Sequence, residues 1–128
     1  MPSACCSASP RVPSIIDYIE RGLRRRRRPP LPIAGDVQHD AGGRHARFTL
    51  AVDGDTISAV AFEATTCATL VACCEQLAET VTGRSLDHAR SAVPLAQLPQ
   101  VPPDRHYLST FAARALQSAL DRASQGAR

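Results

Sequence analysis

The sequence is poor in aromatic side chains, and this shortage argues against one broad class of function. Phe, Trp and Tyr together make up 4% of the 128 residues, and Trp is absent. Proteins that hold single-stranded nucleic acids stack the bases on aromatic side chains. We therefore do not expect a nucleic-acid-binding protein. The core must come from Val, Leu, Ile and Ala, which the ordinary hydrophobic fraction of 44% allows.

Lysine is absent as well, so the positive charge is carried by arginine alone. Five of the 15 arginines are consecutive, at Arg24 to Arg28. The formal net charge of +3 includes five positive charges from this run, so the rest of the chain carries −2. A mildly acidic domain with one basic segment is unlike a general nucleic-acid surface. Contact with phosphates stays open, but the lack of interleaved aromatic residues favours a solvated loop that meets an acidic partner.

Long apolar runs and familiar catalytic patterns are also missing. No stretch approaches the roughly 18 apolar residues that a membrane-spanning helix needs. The first ten residues do not resemble a secretory signal. Because P-loop, zinc-protease and Ser/His/Asp patterns are absent, we expect a protein that is not an enzyme and that has no membrane partner.

Cysteine is present in an odd number, five, and four of these residues form adjacent pairs. Cys5–Cys6 and Cys73–Cys74 are poor partners for local disulfides, and their spacing fits neither a secreted disulfide-rich domain nor a zinc finger. We expect free thiols in a cytoplasmic protein. Helical spacing places Cys73 and Cys74 on or beside a buried face, where packing is the favoured role.

The length suits one domain. We expect residues 1–13, which are small, polar and interrupted by prolines, to form a disordered tail. We expect one domain over residues 14–123 and a disordered C-terminus over 124–128.

Periodicity predicts an α+β fold with a small antiparallel sheet of about three strands covered on one face by helices. Alternating apolar residues predict a hairpin over 46–63, with a D-G-D turn at Gly54. The first strand is expected to begin as early as Gln38, and a third strand is expected over Ile33–Val37. Helices are expected after Ser14, over 70–81 up to Gly83, from Ser85, and over 108–119.

One cysteine stands at the junction between a strand and a helix. Residues 62–74 read F-E-A-T-T-C-A-T-L-V-A-C-C, which places Cys67 at or within the first helical turn. Unpaired N–H groups and the helix dipole at that position favour a thiolate. A thiolate binds soft metals and attacks sulfur. A small packed cysteine is the other interpretation, and it stays open on these residues alone.

The order of these elements resembles a known family. G-D-V at 35–37, the hairpin with its D-G turn, the segment from Phe62 through the cysteine-headed helix, and T-G-R-S-L at 82–86 are similar to the IscU/NifU N-terminal family of U-type iron–sulfur cluster assembly scaffolds. The resemblance covers residues 14–123, and its most specific part is 48–88. It implies the α+β fold of that family and a function in iron–sulfur cluster assembly.

The resemblance also implies a set of ligand positions. In that family three cysteines and one aspartate converge on a nascent cluster or a zinc ion. Matched position by position, Cys67 fills one cysteine position and Asp36 the aspartate position, whereas Ala34 and Leu108 replace the other two cysteines. Thr66 replaces the glycine that precedes the second cysteine. Cys67 and Asp36 supply too few ligands for a closed site.

Two histidines lie near the lost positions. His106, and His39 near Asp36, are candidates to complete a zinc or iron site. Each is otherwise a solvent-facing side chain. Pooling of ligands between two protomers of a homodimer is a further alternative.

The family resemblance implies partners. A cysteine desulfurase is the expected sulfur donor, because one low-pKa thiol can accept a persulfide sulfur without a complete metal site. The segment Val101, Pro102 and Pro103 resembles the stretch that engages an Hsp70-type chaperone, although Asp104 replaces an apolar residue there. The other interpretation is a loop with Pro103 at the first position of a helix.

Two functions follow as expectations. The first is a divergent assembly scaffold that binds iron, an iron–sulfur cluster or zinc transiently, or accepts sulfur, through Cys67. The second is a degenerate interaction module that keeps the fold without metal binding.

Overall fold

The computed structural model describes residues 13–95 and 101–126. The expected disordered tail lies outside the described residues, except for Pro13. The elements, in chain order, are α1 (Ile15–Arg25), β1 (Ile33–Ala34), β2 (Gln38–His39), β3 (His45–Asp53), β4 (Thr56–Ala64), α2 (Ala68–Val81), α3 (Leu86–Ala92), 3-10 turns at Val93–Leu95 and Pro103–Arg105, and α4 (Tyr107–Gly126). In the described part of the chain no helix is both long and apolar enough to cross a membrane.

Two helices begin at the serines that the sequence indicates. Ser14 caps α1 in a capping box: its hydroxyl accepts the Asp17 backbone N–H at 3.3 Å, and its own N–H donates to the Asp17 carboxylate at 2.9 Å. Ser85 caps α3 by accepting the His88 backbone N–H at 3.1 Å. Each cap satisfies one of the free donors in a first helical turn. The predicted helix starts at Ser14 and Ser85 are confirmed.

The sheet is built around β3, which pairs antiparallel with all three other strands. The β3–β4 hairpin turns at Gly54, whose φ of +66° suits glycine. The described part of the chain forms four strands instead of about three. The expected strand over Ile33–Val37 ends at Ala34, because the Asp36 N–H donates to the Ser118 hydroxyl at 2.8 Å. The Gly35 N–H still donates to the Phe48 carbonyl of β3 at 3.0 Å, and regular pairing with β3 resumes at Gln38.

The core lies between the sheet and helices α2 and α4. The rings of Phe48 and Phe62 face each other across the hairpin with centroids 5.6 Å apart. Both are buried against apolar side chains of the two helices, which include Leu70, Leu77, Leu108, Leu116 and Leu120. Helix α4 runs to Gly126. Residues 124–126, which were expected to be disordered, are therefore helical.

Helix α1 packs closely on α2 at a glycine. Gly22 is buried, and a Cβ atom there would lie 2.6 Å from Val71 Cγ1 and 3.0 Å from the Val71 carbonyl oxygen. Contacts this short force a helix to move, because neither partner is the free end of a long side chain. The absence of a side chain at Gly22 thus sets the distance between the two helices.

The arginine run is divided between structure and solvent. Arg24 and Arg25 belong to α1, so the run is not the simple solvated loop that was expected. Arg25 donates to both carboxylate oxygens of buried Glu75, at 2.6 and 3.2 Å, and to the Val60 carbonyl at 2.9 Å. Arg26 donates to the Thr66 hydroxyl at 3.1 Å. These two arginines therefore cover the outer edge of β4, which would otherwise expose unpaired backbone groups.

A second carboxylate lies beside the Arg25–Glu75 pair. Glu79 pairs with Arg21 at 2.8 Å. Burial, followed by a hydrogen bond to Glu75 and repulsion from its charge, raises the pKa of Glu79 from 4.5 to about 7. A carboxyl group whose pKa is higher in the folded than in the unfolded protein stabilises the fold most at low pH. That contribution is lost as pH rises through the folded value.

Gly22→Ala is expected to lower the free energy of unfolding by about 1–3 kcal/mol, because the added methyl group overpacks the α1–α2 contact. Urea denaturation followed by circular dichroism measures this change. Ile16→Ala on the same helix is the control, since Ile16 is 62% exposed, and it is expected to change the value by less than about 0.5 kcal/mol. Equal effects of the two substitutions would contradict the close helix contact.

Glu79→Gln is expected to flatten the dependence of stability on pH. The wild-type protein should lose about 1–2 kcal/mol between pH 5 and pH 8 through this group, a value reduced because the side chain is partly in water. Glutamine imitates the protonated carboxyl group, so the variant should lose less over this range. Glu20→Gln, on the exposed side of α1, is the control and should keep the wild-type slope in the same urea titrations.

Candidate functional site

Cys67 occupies the strand–helix junction, as the sequence predicts. It is the N-cap residue of α2 with extended backbone angles, φ −136° and ψ 114°, and it follows the end of β4 by three residues. Its N–H donates to the Thr65 carbonyl at 2.7 Å, and its own carbonyl accepts the Val71 N–H at 2.9 Å. The side chain is half-buried. The thiol is therefore fixed at the start of a helix while it remains accessible from solvent.

The open end of the hairpin brings a second loop to this cysteine. The Thr65 N–H donates to the His45 carbonyl at 3.0 Å, and the His45 N–H donates to the Thr65 hydroxyl at 2.7 Å. These bonds lock the first residue of β3 beside the last residues of β4. Arg44 precedes His45 directly, and Cys67 follows Thr65 by two positions. Arg44 and Cys67 therefore become neighbours although they lie 23 positions apart in the sequence.

Arg44 is the residue that contacts the thiol. Its interaction with Cys67 is the main cause of the raised pKa of Arg44, and the same interaction acts to lower the pKa of Cys67. The Arg44 guanidinium lies 5.9 Å from the centre of the Tyr107 ring and 3.4 Å from Asp40 Oδ2. We call Asp40, Arg44, Cys67 and Tyr107 the Arg44 cluster.

The loop before Arg44 is shaped to hold the guanidinium. Asp40 Oδ1 accepts the backbone N–H groups of Gly42 and Arg44 at 2.9 and 2.8 Å. These bonds form a turn of the kind that aspartate favours, and with the Arg44 side chain they keep the pKa of Asp40 below its ordinary value. A Cβ atom at Gly42 would lie 2.9 Å from Arg44 Nη1. The glycine leaves room for the guanidinium to fold back over the turn.

The pKa of Cys67 lies below its ordinary value. Partial burial acts to raise the pKa, but hydrogen bonding from the Leu70 N–H, the Arg44 guanidinium with its charge, and the Thr69 N–H together outweigh it. A lowered pKa favours the thiolate, which is the nucleophilic form of cysteine.

The other described cysteines are structural, as the sequence predicts. Cys73 and Cys74 are 1% and 0% exposed. Burial raises the pKa of both thiols, and a contact with the Ser109 hydroxyl at 3.5 Å offsets part of that effect at Cys73. Both belong to the hydrophobic core. Cys5 and Cys6 lie outside the described residues.

Asp36, predicted as a co-ligand of Cys67, has other partners. Its carboxylate pairs with Arg122 at 2.8 Å, and its backbone N–H donates to Ser118. These partners lie in the second half of α4, whereas Tyr107 of the Arg44 cluster is the first residue of that helix. From Tyr107 to Ser118 is eleven residues, or about 16 Å along the helix. The structure does not bring Asp36 and Cys67 together, and a guanidinium occupies the place beside the thiol where a carboxylate was expected.

The remaining predicted positions do not complete a metal site. The Nε2 atom of His106 lies 3.0 Å from the Val101 carbonyl oxygen, which makes that nitrogen a donor rather than a metal ligand. His39 lies on β2 with its ring 6.4 Å from the ring of His45. Leu108 is 0% exposed in the core, and Ala34 is paired with Thr49 in the sheet. Among residues 13–95 and 101–126, no three His, Cys, Asp or Glu side chains are grouped to hold a metal ion.

The sequence interpretation missed Arg44, Asp40 and Tyr107. A signal existed for the first two, because D-A-G-G-R at 40–44 has the composition of an aspartate-capped turn that returns to its own start. Nothing local pointed to Tyr107, since it reaches Arg44 from the other end of the chain. Pro103, which the other interpretation of its segment places at a helix start, is the first residue of a 3-10 turn.

The comparison with protein families decides the relationship. The profile of the NifU-like N terminal domain matches residues 19–125. The chain belongs to this family. The resemblance drawn from the cysteine-headed helix and the hairpin is therefore confirmed, and we refer to the chain below as the NifU-like domain.

Solved structures support the fold of the NifU-like domain. An iron–sulfur cluster assembly scaffold described for the SUF system of Fervidobacterium islandicum is 20% identical, with a TM-score of 0.60 over 83% of this chain and 93% of that one. A nitrogen-fixing NifU-like protein (N-terminal) from Brucella abortus is 18% identical, with a TM-score of 0.58 over 88% of this chain and 99% of that one. Similarity at this level of identity shows the fold. A search of curated proteins gives no match.

Cys67 is expected to be alkylated much faster than Cys73 and Cys74 in the native protein, since it is accessible and its pKa is lowered. Brief iodoacetamide treatment at pH 7, followed by digestion and mass spectrometry, measures labelling at each residue. In 6 M guanidinium chloride (about the strength that unfolds most domains) the three thiols should react at similar rates. Equal native rates would contradict the accessibility and the lowered pKa of Cys67.

Proposed function

We propose that the NifU-like domain acts in iron–sulfur cluster assembly as a carrier that accepts sulfur on Cys67. The observation that carries this proposal is a half-buried thiol at a helix start whose pKa is lowered in part by the arginine guanidinium beside it. Membership of the NifU-like family supplies the context. The related SUF-system protein of the same fold is described as an assembly scaffold.

The chemistry needs only one thiol of this domain. The Cys67 thiolate attacks the terminal sulfur of a persulfide on the donor, R–S–SH. A new S–S bond forms on Cys67, the S–S bond of the donor breaks, and the donor leaves as the thiolate R–S⁻. Cys67 then carries –S–SH, which ionises readily to –S–S⁻. No external oxidant or reductant is consumed, because the terminal sulfur moves between two thiols.

The surroundings of Cys67 fit an anion better than a metal ion. The Arg44 guanidinium attracts a thiolate or a persulfide anion, and it repels Fe²⁺ or Zn²⁺ at the same place. A [2Fe–2S] cluster needs four ligands, chiefly thiolates, and the described residues of one chain offer one accessible cysteine. We therefore propose that an iron–sulfur cluster or an iron or zinc ion, as cargo, is not held by this chain alone. Ligands from a second protomer or a recipient would have to complete its coordination.

The proposed donor is a cysteine desulfurase, the enzyme class that forms protein persulfides. Arg27 and Arg28 are exposed beyond the end of α1, and Arg26 of the same run bonds to Thr66, the residue before Cys67. The run therefore lies close to the reacting thiol, where it suits contact with an acidic donor surface. The domain itself acts as a carrier rather than as an enzyme, and the cytoplasm is its proposed compartment.

The chaperone segment is only partly available. Val101 is 3% exposed and belongs to the core, whereas Pro102 and Pro103 lie on the surface. Contact with an Hsp70-type chaperone through the two prolines stays a prediction, as does the homodimer.

Cys67→Ser is expected to abolish sulfur loading almost completely. The full-length protein is incubated with a cysteine desulfurase, pyridoxal phosphate and L-cysteine, and mass spectrometry locates the added sulfur atom. Cys73→Ala is the control and should load like wild type, because its thiol is buried. Cys5→Ser/Cys6→Ser is a second control for the N-terminal thiols.

Wild-type loading by the Cys67→Ser variant would contradict the proposal. If neither wild type nor variant gained sulfur, and anaerobically purified protein contained no iron, zinc or sulfide, the interaction module without metal chemistry would be favoured instead.

A further inference from the structure

The fold places the Arg44 side chain beside Cys67, which is the most reactive of its neighbouring groups. Its guanidinium has three neighbours: the Cys67 sulfur, the Tyr107 ring at 5.9 Å and the Asp40 carboxylate at 3.4 Å. Asp40 and Tyr107 fix the position of the guanidinium, because Asp40 is bound to the backbone of its own turn and Tyr107 is the first residue of α4. The guanidinium is thus held by these two residues while it interacts with the Cys67 sulfur.

We propose that Arg44 is the positioning residue that makes Cys67 selective for anionic sulfur over divalent metal ions. This inference rests on the proposed function of Cys67 as a sulfur acceptor. It adds the group that decides which cargo the thiol takes. Arg44 remains charged at any pH at which the protein is folded, so its preference for anions does not depend on pH.

The planar guanidinium suits this role better than a lone ammonium would. It presents several N–H donors in one plane, so it can hold Asp40 with one edge and a sulfur anion with another. When Cys67 is extended to –S–S⁻, the negative charge moves outward by one S–S bond, about 2 Å. A delocalised cation with donors on two nitrogens can follow that displacement, whereas a metal ion approaching the same sulfur meets a positive charge.

Few other charges compete with Arg44 at the thiol. Of the groups that influence the ionisation of Cys67 from neighbouring elements, Arg44 comes from the β2–β3 loop, and the N–H groups of Thr69 and Leu70 come from α2. Buried Cys73 on α2 is close enough to be affected by the Cys67 charge. Asp40 and Tyr107 act on Arg44 rather than on the sulfur.

The first test is the pH profile of Cys67 alkylation, read by mass spectrometry at that residue. Arg44→Gln is expected to raise the apparent pKa of Cys67, which lowers the alkylation rate at pH 7 by about 3- to 10-fold. Arg44→Lys restores a positive charge and should recover most of the rate. If Arg44 had a purely structural role, the pH profile of Cys67 alkylation would be the same in wild type, Arg44→Gln and Arg44→Lys.

The matched control is Arg84→Gln. Arg84 is exposed and lies beyond the opposite end of α2, about 21 Å from Cys67 by the length of that helix. Its removal takes away the same charge and should leave the profile unchanged. An unchanged profile in Arg44→Gln, or an equal shift in Arg84→Gln, would overturn the proposal.

The second test replaces the cation by a carboxylate. Co²⁺ is titrated into full-length wild type, Arg44→Glu and Arg44→Glu/Cys67→Ser, and the thiolate-to-metal absorption band is followed. The Co²⁺ concentration that gives half of the maximal band should be at least about tenfold lower in Arg44→Glu than in wild type, because a repelling charge becomes an attracting one. It should vanish when Cys67 is removed. Equal Co²⁺ affinity in wild type and Arg44→Glu would overturn the metal-excluding role.

These results separate the failure of this inference from the failure of the proposed function. If Arg44→Gln leaves alkylation unchanged while Cys67→Ser still abolishes sulfur loading, the role of Arg44 is wrong and the function stands. If Arg44→Gln shifts the profile but Cys67→Ser loads sulfur normally, Arg44 tunes a thiol that is not the acceptor.

Discussion

The candidate site depends on the pair of backbone-directed hydrogen bonds that closes the open end of the hairpin. His45 and Thr65 are joined by bonds of 3.0 and 2.7 Å. Arg44 of the candidate site precedes His45 directly, and Cys67 follows Thr65 by two positions. Strand register is strict, because a slip of one residue turns every side chain to the other face. The same register that buries Phe48 and Phe62 therefore brings a cation to the thiol.

The domain keeps the architecture of its family, but the charge beside the candidate thiol is positive where the resemblance implies a negative one. The resemblance implies a thiol accompanied by carboxylate and further thiols, a set that attracts metal cations. Here Leu108 is part of the core, Asp36 is engaged by Arg122, and the neighbour of Cys67 is Arg44. A cation beside a thiolate stabilises negative charge on sulfur and opposes metal binding. Sulfur transfer requires the stabilised negative charge on sulfur, and it does not require a bound metal ion.

The arginine run illustrates how one sequence feature can divide into two roles. Arg25 and Arg26 reach across to β4 and bind its carbonyl edge and the Thr66 hydroxyl, so they hold α1 to the body of the domain. Arg27 and Arg28 continue the same positive charge into solvent. Gly22 allows α1 to pack closely on α2, and the two arginines bind the C-terminal end of α1 to β4. The exposed part of the arginine run therefore lies near Cys67.

The sequence by itself determined the hairpin, the helix starts at Ser14 and Ser85, the burial of Cys73 and Cys74, and the place of Cys67 between strand and helix. All of these follow from local periodicity and capping, which act over a few residues. Tertiary structure alone decided that Arg44 meets both Cys67 and Tyr107, and that Asp36 turns to α4. Those choices depend on strand pairing and on where a distant helix begins. Contacts between loops far apart in the chain leave no periodic trace, and for that reason the cysteine could be predicted and its partner could not.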